Sequence, residues 1–383
     1  MTLVSITKAV KIKNQRVKPF NGERDYMATG GLVGTEIKTE KVTYKTKPSR
    51  ADLLVSKNQL IVARMKETNK VLLIDENNCD LIVSTGFLVL DVQIGWHPGF
   101  LYHFFVSKFF QDQKDKLSIG ATQKAINNEK FKEIIIPELS FEDQERIAKI
   151  LDEADALRQK RKQVIGLLDH YLKSVFWEMF GDPVKNEKKW TKKTGEEYCE
   201  KLTVGVVIKP ASHYVEKGVI ALRSLNIRPN KITLNDLVYF SSESHKKLLS
   251  KSRLNEGDVV FVRTGATGTA AIIPKSLDGC NCIDLIITRP KKDLMHPIYL
   301  CYFFNSDFGK RLVLSKNVGG IQQHFNIGAL KKMEIPCPPF LLQEEFAVLV
   351  EKVELLKEVM LTQFKELEIQ FQALIQKAFK GKL

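Results

Sequence analysis

Residues 136–183 read IPELSFEDQERIAKILDEADALRQKRKQVIGLLDHYLKSVFWEMFGDP, a single long helix with a marked start and stop. Ser140 stands where an N-cap belongs, and Glu142, Asp143 and Glu145 put negative charge in the first turn, where the helix dipole favours it. Ile147, Ile150, Ala154, Leu157, Arg161, Val164, Leu168, Tyr171 and Val175 then step by three and four. That 3.5-residue period is a coiled-coil seam, interrupted by one arginine. Gly181-Asp182-Pro183 ends the helix. About forty residues of helix span roughly 60 Å.

The segment occurs twice. Ile136-Pro137, Phe141, Gln144-Glu145 and Phe180 reappear as Ile335-Pro336, Phe340, Gln343-Glu344 and Phe379, all 199 positions on. Upstream, Gly120, Gln123 and Asn127 of GATQKAIN match Gly319, Gln322 and Asn326 of GGIQQHFN at the same offset (326 − 127 = 199). So do Arg64 and Arg263, Pro98 and Pro297, Phe104-Phe105 and Phe303-Phe304, and Ser107 and Ser306. An ungapped register of this length marks a tandem duplication. The second helix carries its seam at Phe346, Leu349, Val353, Leu356, Met360, Leu367 and Leu374, with polar Gln363 and Gln370 in it. Two matching seams predict that the helices pack on each other, in either orientation. An antiparallel pair would put the two globular parts at opposite ends of a rod, related by a pseudo-two-fold axis. Packing of each helix on its own domain is the alternative.

Ahead of each helix lies a mixed, strand-rich part. QLIVARM (59–65), VLLI (71–74), DVVFVRTG (258–265) and DLIITRP (284–290) are short β-branched runs bounded by turn residues. A short aromatic helix is expected over 100–111 and again over 297–311. The predicted organisation is α+β: globular 1–140, helix 141–181, globular 182–340, helix 341–383.

The chain has 383 residues, too many for one ordinary core and enough for two. Its apolar fraction of 44% is that of a globular protein. Without an uncharged apolar run of about 18 residues no membrane span is expected, and Met1 to Lys13 lack the apolar block of a secretory signal. Cys79, Cys199, Cys280, Cys282, Cys301 and Cys337 form no CxxC pair, and the seven histidines show no metal-site spacing. Reduced structural thiols in a cytoplasm and no metal are the expectation. The net charge of +14 is unevenly placed. Residues 1–140 carry 21 Lys/Arg against 15 Asp/Glu and residues 182–340 carry 25 against 15, while the two helices carry 7 against 8 and 6 against 7. Two basic parts alternate with two neutral ones, a pattern suited to nucleic acid.

Catalytic chemistry is missing. CPPF (337–340) only superficially resembles the amino-methyltransferase motif, since Cys337 cannot accept the required hydrogen bonds and the first copy does not keep the pattern. No P-loop and no cofactor-binding glycine loop follows a strand. RTGATG (263–268) is either a tight hairpin turn or a phosphate cradle, and its counterpart at 64–69 has lost both glycines. What remains is a set of donors suited to phosphates and base edges. In the first half these are Lys11, Lys13, Arg16, Lys45, Lys47, Arg50, Arg64, Gln123, Lys124 and Asn127. In the second they are Arg223, Asn226, Arg228, Lys246, Lys247, Arg253, Arg263, Arg289, Gln322, Gln323 and His324. Asn127 and Asn326 could instead cap a turn or helix.

The IP-x-PP entry, the Gln-Glu pair at the helix start and the FGDP exit resemble the specificity subunit of type I restriction–modification enzymes, as does GDVVFVRTGATGTAAII (257–273). The resemblance covers nearly the whole chain. It implies two target-recognition domains, each reading half of a split DNA site, held apart by an antiparallel helical pair. It also implies two methyltransferase subunits docked on the chain and motor–nuclease subunits beyond them. S-adenosylmethionine, ATP and magnesium would belong to those partners and none to this chain, which would have no turnover of its own. Two departures stand out. Trp190 and the lead-in near 184–200 lack a counterpart in the first copy, so the N-terminus is either shortened or divergent, and the 199 offset fails between 26 and 50. A fused methyltransferase or nuclease, and the specificity subunit of a related restriction enzyme of another type, are the alternatives.

Overall fold

The computed structural model describes residues 2–183, 185–315, 325–380 and 382–383. The chain forms two compact units, Met1–Gln163 with Met360–Leu383, and Val164–Val359. Both boundaries fall inside the long helices, so each unit takes one end of each helix.

The first unit holds two four-stranded sheets. One is antiparallel, with the order Val10–Ile12, Phe87–Val92, Leu60–Ala63, Val71–Leu73. Its central strands are buried on both faces, which is why QLIVARM reads as an unbroken apolar run. The other has the order Glu40–Val42, Arg24–Met27, Ile82–Ser84, Ala51–Leu54, with Tyr26 beside Ile82 in a parallel pair. A third, two-stranded sheet joins Thr2–Ser5 to Ile135–Glu138, the strand that feeds the long helix.

The second unit repeats this plan. Cys199–Val204, Leu285–Pro290, Val259–Val262 and Ala270–Ile272 form the antiparallel sheet. Tyr214–Val215, Val238–Phe240, Val219–Leu222 and Asn281–Cys282 form the other, with Ala221 parallel to Asn281. This explains the lost register. Ile82 and Asn281 are 199 apart, but Tyr26 and Ala221 are 195 apart, so the same parallel pair survives a shift of four residues. The lead-in also has a counterpart: Lys192–Thr194 pairs with Glu334–Pro336 as Thr2–Ser5 pairs with Ile135–Glu138.

Each expected aromatic helix is two helices. Pro98–Val106 and Lys108–Leu117 break at Ser107, whose Oγ accepts the Phe110 amide at 3.2 Å. Pro297–Asn305 and Asp307–Ser315 break at Ser306, whose Oγ accepts the Gly309 amide at 3.1 Å. The repeated serine is an N-cap inside the aromatic stretch.

The long helices run Phe141–Phe180 and Phe340–Phe379. Ser140 caps the first, accepting the Asp143 amide at 3.1 Å, and Gly181, with φ +74°, follows its end. Each start is locked by a buried glutamine. Gln144 Oε1 accepts the His97 amide and its Nε2 donates to the carbonyls of Gly95 and Leu139. Gln343 does the same for His296, Leu294 and Pro338. The repeated glutamine of the Gln-Glu pair is thus a structural latch, and CPPF is the proline entry that the second latch holds.

Within each unit the helix ends pair antiparallel. In the first, Arg146 Nη2 reaches the Leu383 carbonyl at 3.5 Å and Arg158 Nη1 reaches Glu368 at 2.8 Å, so one helix rises as the other descends. In the second, Phe346 packs on Phe176 and Phe180 with ring centroids 5.3 and 5.5 Å apart, and Lys357 bonds Asp169 at 2.5 Å. The duplication is visible in these contacts with partners exchanged. Arg158 and Lys357 are 199 apart, as are Asp169 and Glu368. Phe100 meets Phe379 at 5.2 Å in one unit, and Tyr299 meets Phe180 at 4.7 Å in the other.

The seam itself is shifted from its expected register. Ile147 is buried, Ala154, Leu168 and Val175 pack half-buried against the cores, and Arg161 is half-buried. The alternate positions differ: Leu157, Val164 and Tyr171 are exposed, and Leu151, Arg158, Ile165 and Leu172 take their place. The second helix shifts likewise: Val350 and Phe371 are buried and Lys357 and Phe364 half-buried, while Leu356, Gln363 and Gln370 are exposed and Leu349 alone of that set packs on the core. The hydrophobicity of Leu157 over Arg158 misleads the reading. Arg158 lies 4.4 Å above the Phe371 ring, between Asp155 and Glu368, and serves as a seam residue through cation–π and ionic contact.

Candidate nucleic-acid interface

In the first unit most of the candidate donors fall along one hydrogen-bonded row. Asp52 accepts from Arg16 at 2.5 Å and lies 3.4 Å from the Lys47 ammonium, which also donates to the Ala51 carbonyl. The Arg50 carbonyl accepts the Thr85 amide, and the Gly86 carbonyl accepts the Arg64 amide. Arg64 then exchanges backbone and side-chain bonds with Ile126, and the Lys66 amide donates to the Lys124 carbonyl. Arg50, Gln123, Lys124 and Asn127 are exposed along this row, Lys47 is half-buried, and Lys45 is exposed two residues before Lys47. Lys11 and Lys13 lie apart from it on the edge strand Val10–Ile12 and the residue after it, where Lys13 pairs with Asp91 at 3.4 Å.

The repeated GxxQ…N loop divides by role. Gly120 has φ +137°, and a Cβ there would sit 2.5 Å from the Gln123 carbonyl oxygen, so the turn needs glycine. Asn127 Oδ1 accepts the Lys130 amide at 2.8 Å and Asn326 Oδ1 accepts the Ala329 amide at 2.8 Å, capping short helices. Gln123 is exposed. Arg64 is a brace: its guanidinium donates to the carbonyls of Phe87 and Ile126, and burial lowers its pKa. The sequence did not single out Lys66, which joins this row two residues beyond Arg64.

The second unit does not gather its candidates into one row. Arg263 pairs with Asp284 at one end of the strands Val259–Val262 and Leu285–Pro290. Arg289 pairs with Asp258 at the other, at 2.7 and 2.9 Å. Asp258 is fully buried, so Arg289 is the counter-ion of a core carboxylate. Asn226 is fully buried too, bonded to the Arg223 amide and the carbonyls of Thr233 and Asn235. It holds a turn and cannot reach a ligand, which corrects its reading as a base contact. Arg223 donates to the Asp236 carbonyl. Arg228, Lys246, Lys247 and Arg253 are exposed. Gln322, Gln323 and His324 lie outside the described residues. RTGATG forms the hairpin loop between two antiparallel strands, with Gly265 and Gly268 at φ +85° and +80°.

Burial pushes the thiols of Cys199 and Cys280 up to about 12, which keeps them protonated and unreactive. Among the described residues no His/Cys/Asp/Glu group could hold a metal ion, and no helix is long and apolar enough to cross a membrane.

The chain is similar in fold to a chain from a type I R-M system, described for its complex assembly and conformational transition. That match has a TM-score of 0.66 at 19% identity and covers 100% of this chain and 98% of that one. The type I restriction–modification system S subunit from M. genitalium matches with a TM-score of 0.55 at 15% identity, over 99% of this chain and 96% of that one. The family model for the type I restriction modification DNA specificity domain matches twice, at residues 3–166 and 187–370. Two consecutive matches spanning most of the chain, on a doubled strand-rich fold with paired long helices, show that this chain belongs to the family of type I restriction–modification specificity subunits, which are non-catalytic.

Proposed function

We propose that each globular part of this specificity subunit reads one half of a two-part DNA target, and that the helical pair sets the gap between the halves. The observation that carries the reading is one topology with two unlike surfaces. The same parallel strand pair recurs in both units, yet the first exposes Lys45, Arg50, Gln123 and Lys124 while the second exposes Arg228, Lys246, Lys247 and Arg253. Shared architecture with different exposed donors suits two different half-sites.

The helices would dock two methyltransferase subunits. Leu157, Val164, Leu167 and Tyr171 on the first, and Leu341, Val348, Leu355 and Ile369 on the second, stay exposed beside the buried seam. Apolar side chains repeated on a helix face support a partner surface. Motor–nuclease subunits would complete the complex, with S-adenosylmethionine, ATP and magnesium held by the partners and DNA read in the cytoplasm. Mapping methylated adenines in the host genome tests this. A split motif with a fixed gap is expected, and a continuous palindrome contradicts the reading. Methylation by the purified chain alone with S-adenosylmethionine would point to a fused methyltransferase instead.

A further inference from the structure

The helix Lys108–Leu117 carries a lysine in the core. Lys114 is fully buried, and its Nζ donates to the carbonyls of Met65 and Thr68 at 2.8 and 2.7 Å, with Asp115 at 3.5 Å. Desolvating an ammonium is costly, and two neutral carbonyls with one neighbouring carboxylate recover that cost only in part. Burial accordingly lowers its pKa. A core that needed only volume would use an apolar residue here, and the second unit does. The residue 199 positions on is Val313, whose methyls approach within 2.9 Å of where a Cβ of Gly268 would stand. Glycine against valine closes the loop 263–268 by packing. Lysine on two carbonyls closes 64–69 by hydrogen bonding.

The loop that Lys114 holds is joined to the row of donors. Asp115, next on the helix, accepts the Glu67 amide at 3.0 Å, with Glu67 itself at φ +58°. On its other side the loop is stitched to the GxxQ turn, through the Lys66 amide on the Lys124 carbonyl and the bridge between Met65 and Ala125. We infer that Lys114 is a positioning residue for reading DNA. It fixes the loop Arg64–Asn69 against the Gln123–Lys124 turn, and so sets where Lys66, Gln123 and Lys124 meet the first half-site. The inference rests on the proposed reading of a two-part target.

The test is to express the chain with its methyltransferase partners in cells and map methylated adenines for wild type, K114M and K114Q, with melting temperatures of the purified complexes. Wild type should give a split motif. K114M should relax at least one base position in one half only, by about tenfold in discrimination, with the other half unchanged. K114Q, which keeps a donor for a carbonyl, should fall between. Full fidelity in a folded K114M complex overturns the inference, as does equal relaxation of both halves. If both variants fail to fold, Lys114 is a residue of the core and the positioning role falls. If wild type itself gives no split motif, the two-part reading fails first and takes the inference with it, an outcome seen in the wild-type lane alone.

Discussion

Single side chains carry much of this architecture through buried polar bonds. Gln343→Ala would strand the His296 amide and two carbonyls in a buried latch. The cost is roughly 2–3 kcal/mol, and a fall of about 5 °C or more in melting temperature is expected by calorimetry. Arg289→Met should cost about 3 kcal/mol, because it leaves the buried Asp258 carboxylate without its cation. Were Arg289 mainly a DNA contact, the same variant would keep its stability and lose affinity. Hydrogen bonds also lower two exposed carboxylates at helix starts. The Thr194 amide and hydroxyl donate to Glu197, and the Ser140 hydroxyl and Arg146 donate to Asp143. A depressed carboxylate contributes stability above its unfolded pKa and loses it as pH falls through the folded value. Melting temperature should therefore decline modestly below about pH 4, and a flat profile from pH 7 to 3 would contradict the caps.

At the scale of elements, the long helices are where sequence and structure part by one residue. The heptad set through Ile147, Ala154, Leu168 and Val175 was legible from hydrophobicity alone. The alternate set was not, because Arg158 and Lys357 reach partners across the seam that no single-helix pattern reveals. Phe371→Ala should cost about 3 kcal/mol, while Leu157→Ala, on the exposed face, should stay within about 0.5 kcal/mol. Equal costs would restore the unshifted register. The exposed stripe has its own test: Leu355→Asp should leave the melting temperature almost unchanged and weaken co-purification with the methyltransferase subunits. The split of each aromatic helix was equally hidden. Ser107 and Ser306 fit a helix interior or a cap, and only the direction of the next helix decides which.

For the whole molecule, the +14 charge predicts salt-sensitive DNA binding. Lys124→Ala or Lys45→Ala should each lower the slope of log affinity against log salt by about one, measured by titration at several salt concentrations. Asn226→Ala should leave that slope alone and lower stability, since its amide bonds only protein. The compact units are not the sequence repeats. Each is a strand-rich part of one copy closed by the helix end of the other, as Phe379 on Phe100 and Phe180 on Tyr299 show.

Sequence alone determined the duplication, the two long helices with the cap and stop of the first, the short β-branched strands and the division into basic and neutral parts. These are local matters: periodicity, capping chemistry and charge lie within reach of neighbouring residues. Tertiary structure decided the seam register, the exchange of helix ends and which of the described donors are buried in protein contacts. Whether Arg289, Asn226 or Lys114 faces solvent depends on Asp258, on the carbonyls of Thr233 and Asn235, and on a loop some fifty residues away. A polar side chain is spent on the protein or left for a ligand by its burial, and burial is a property of the fold, not of the residue.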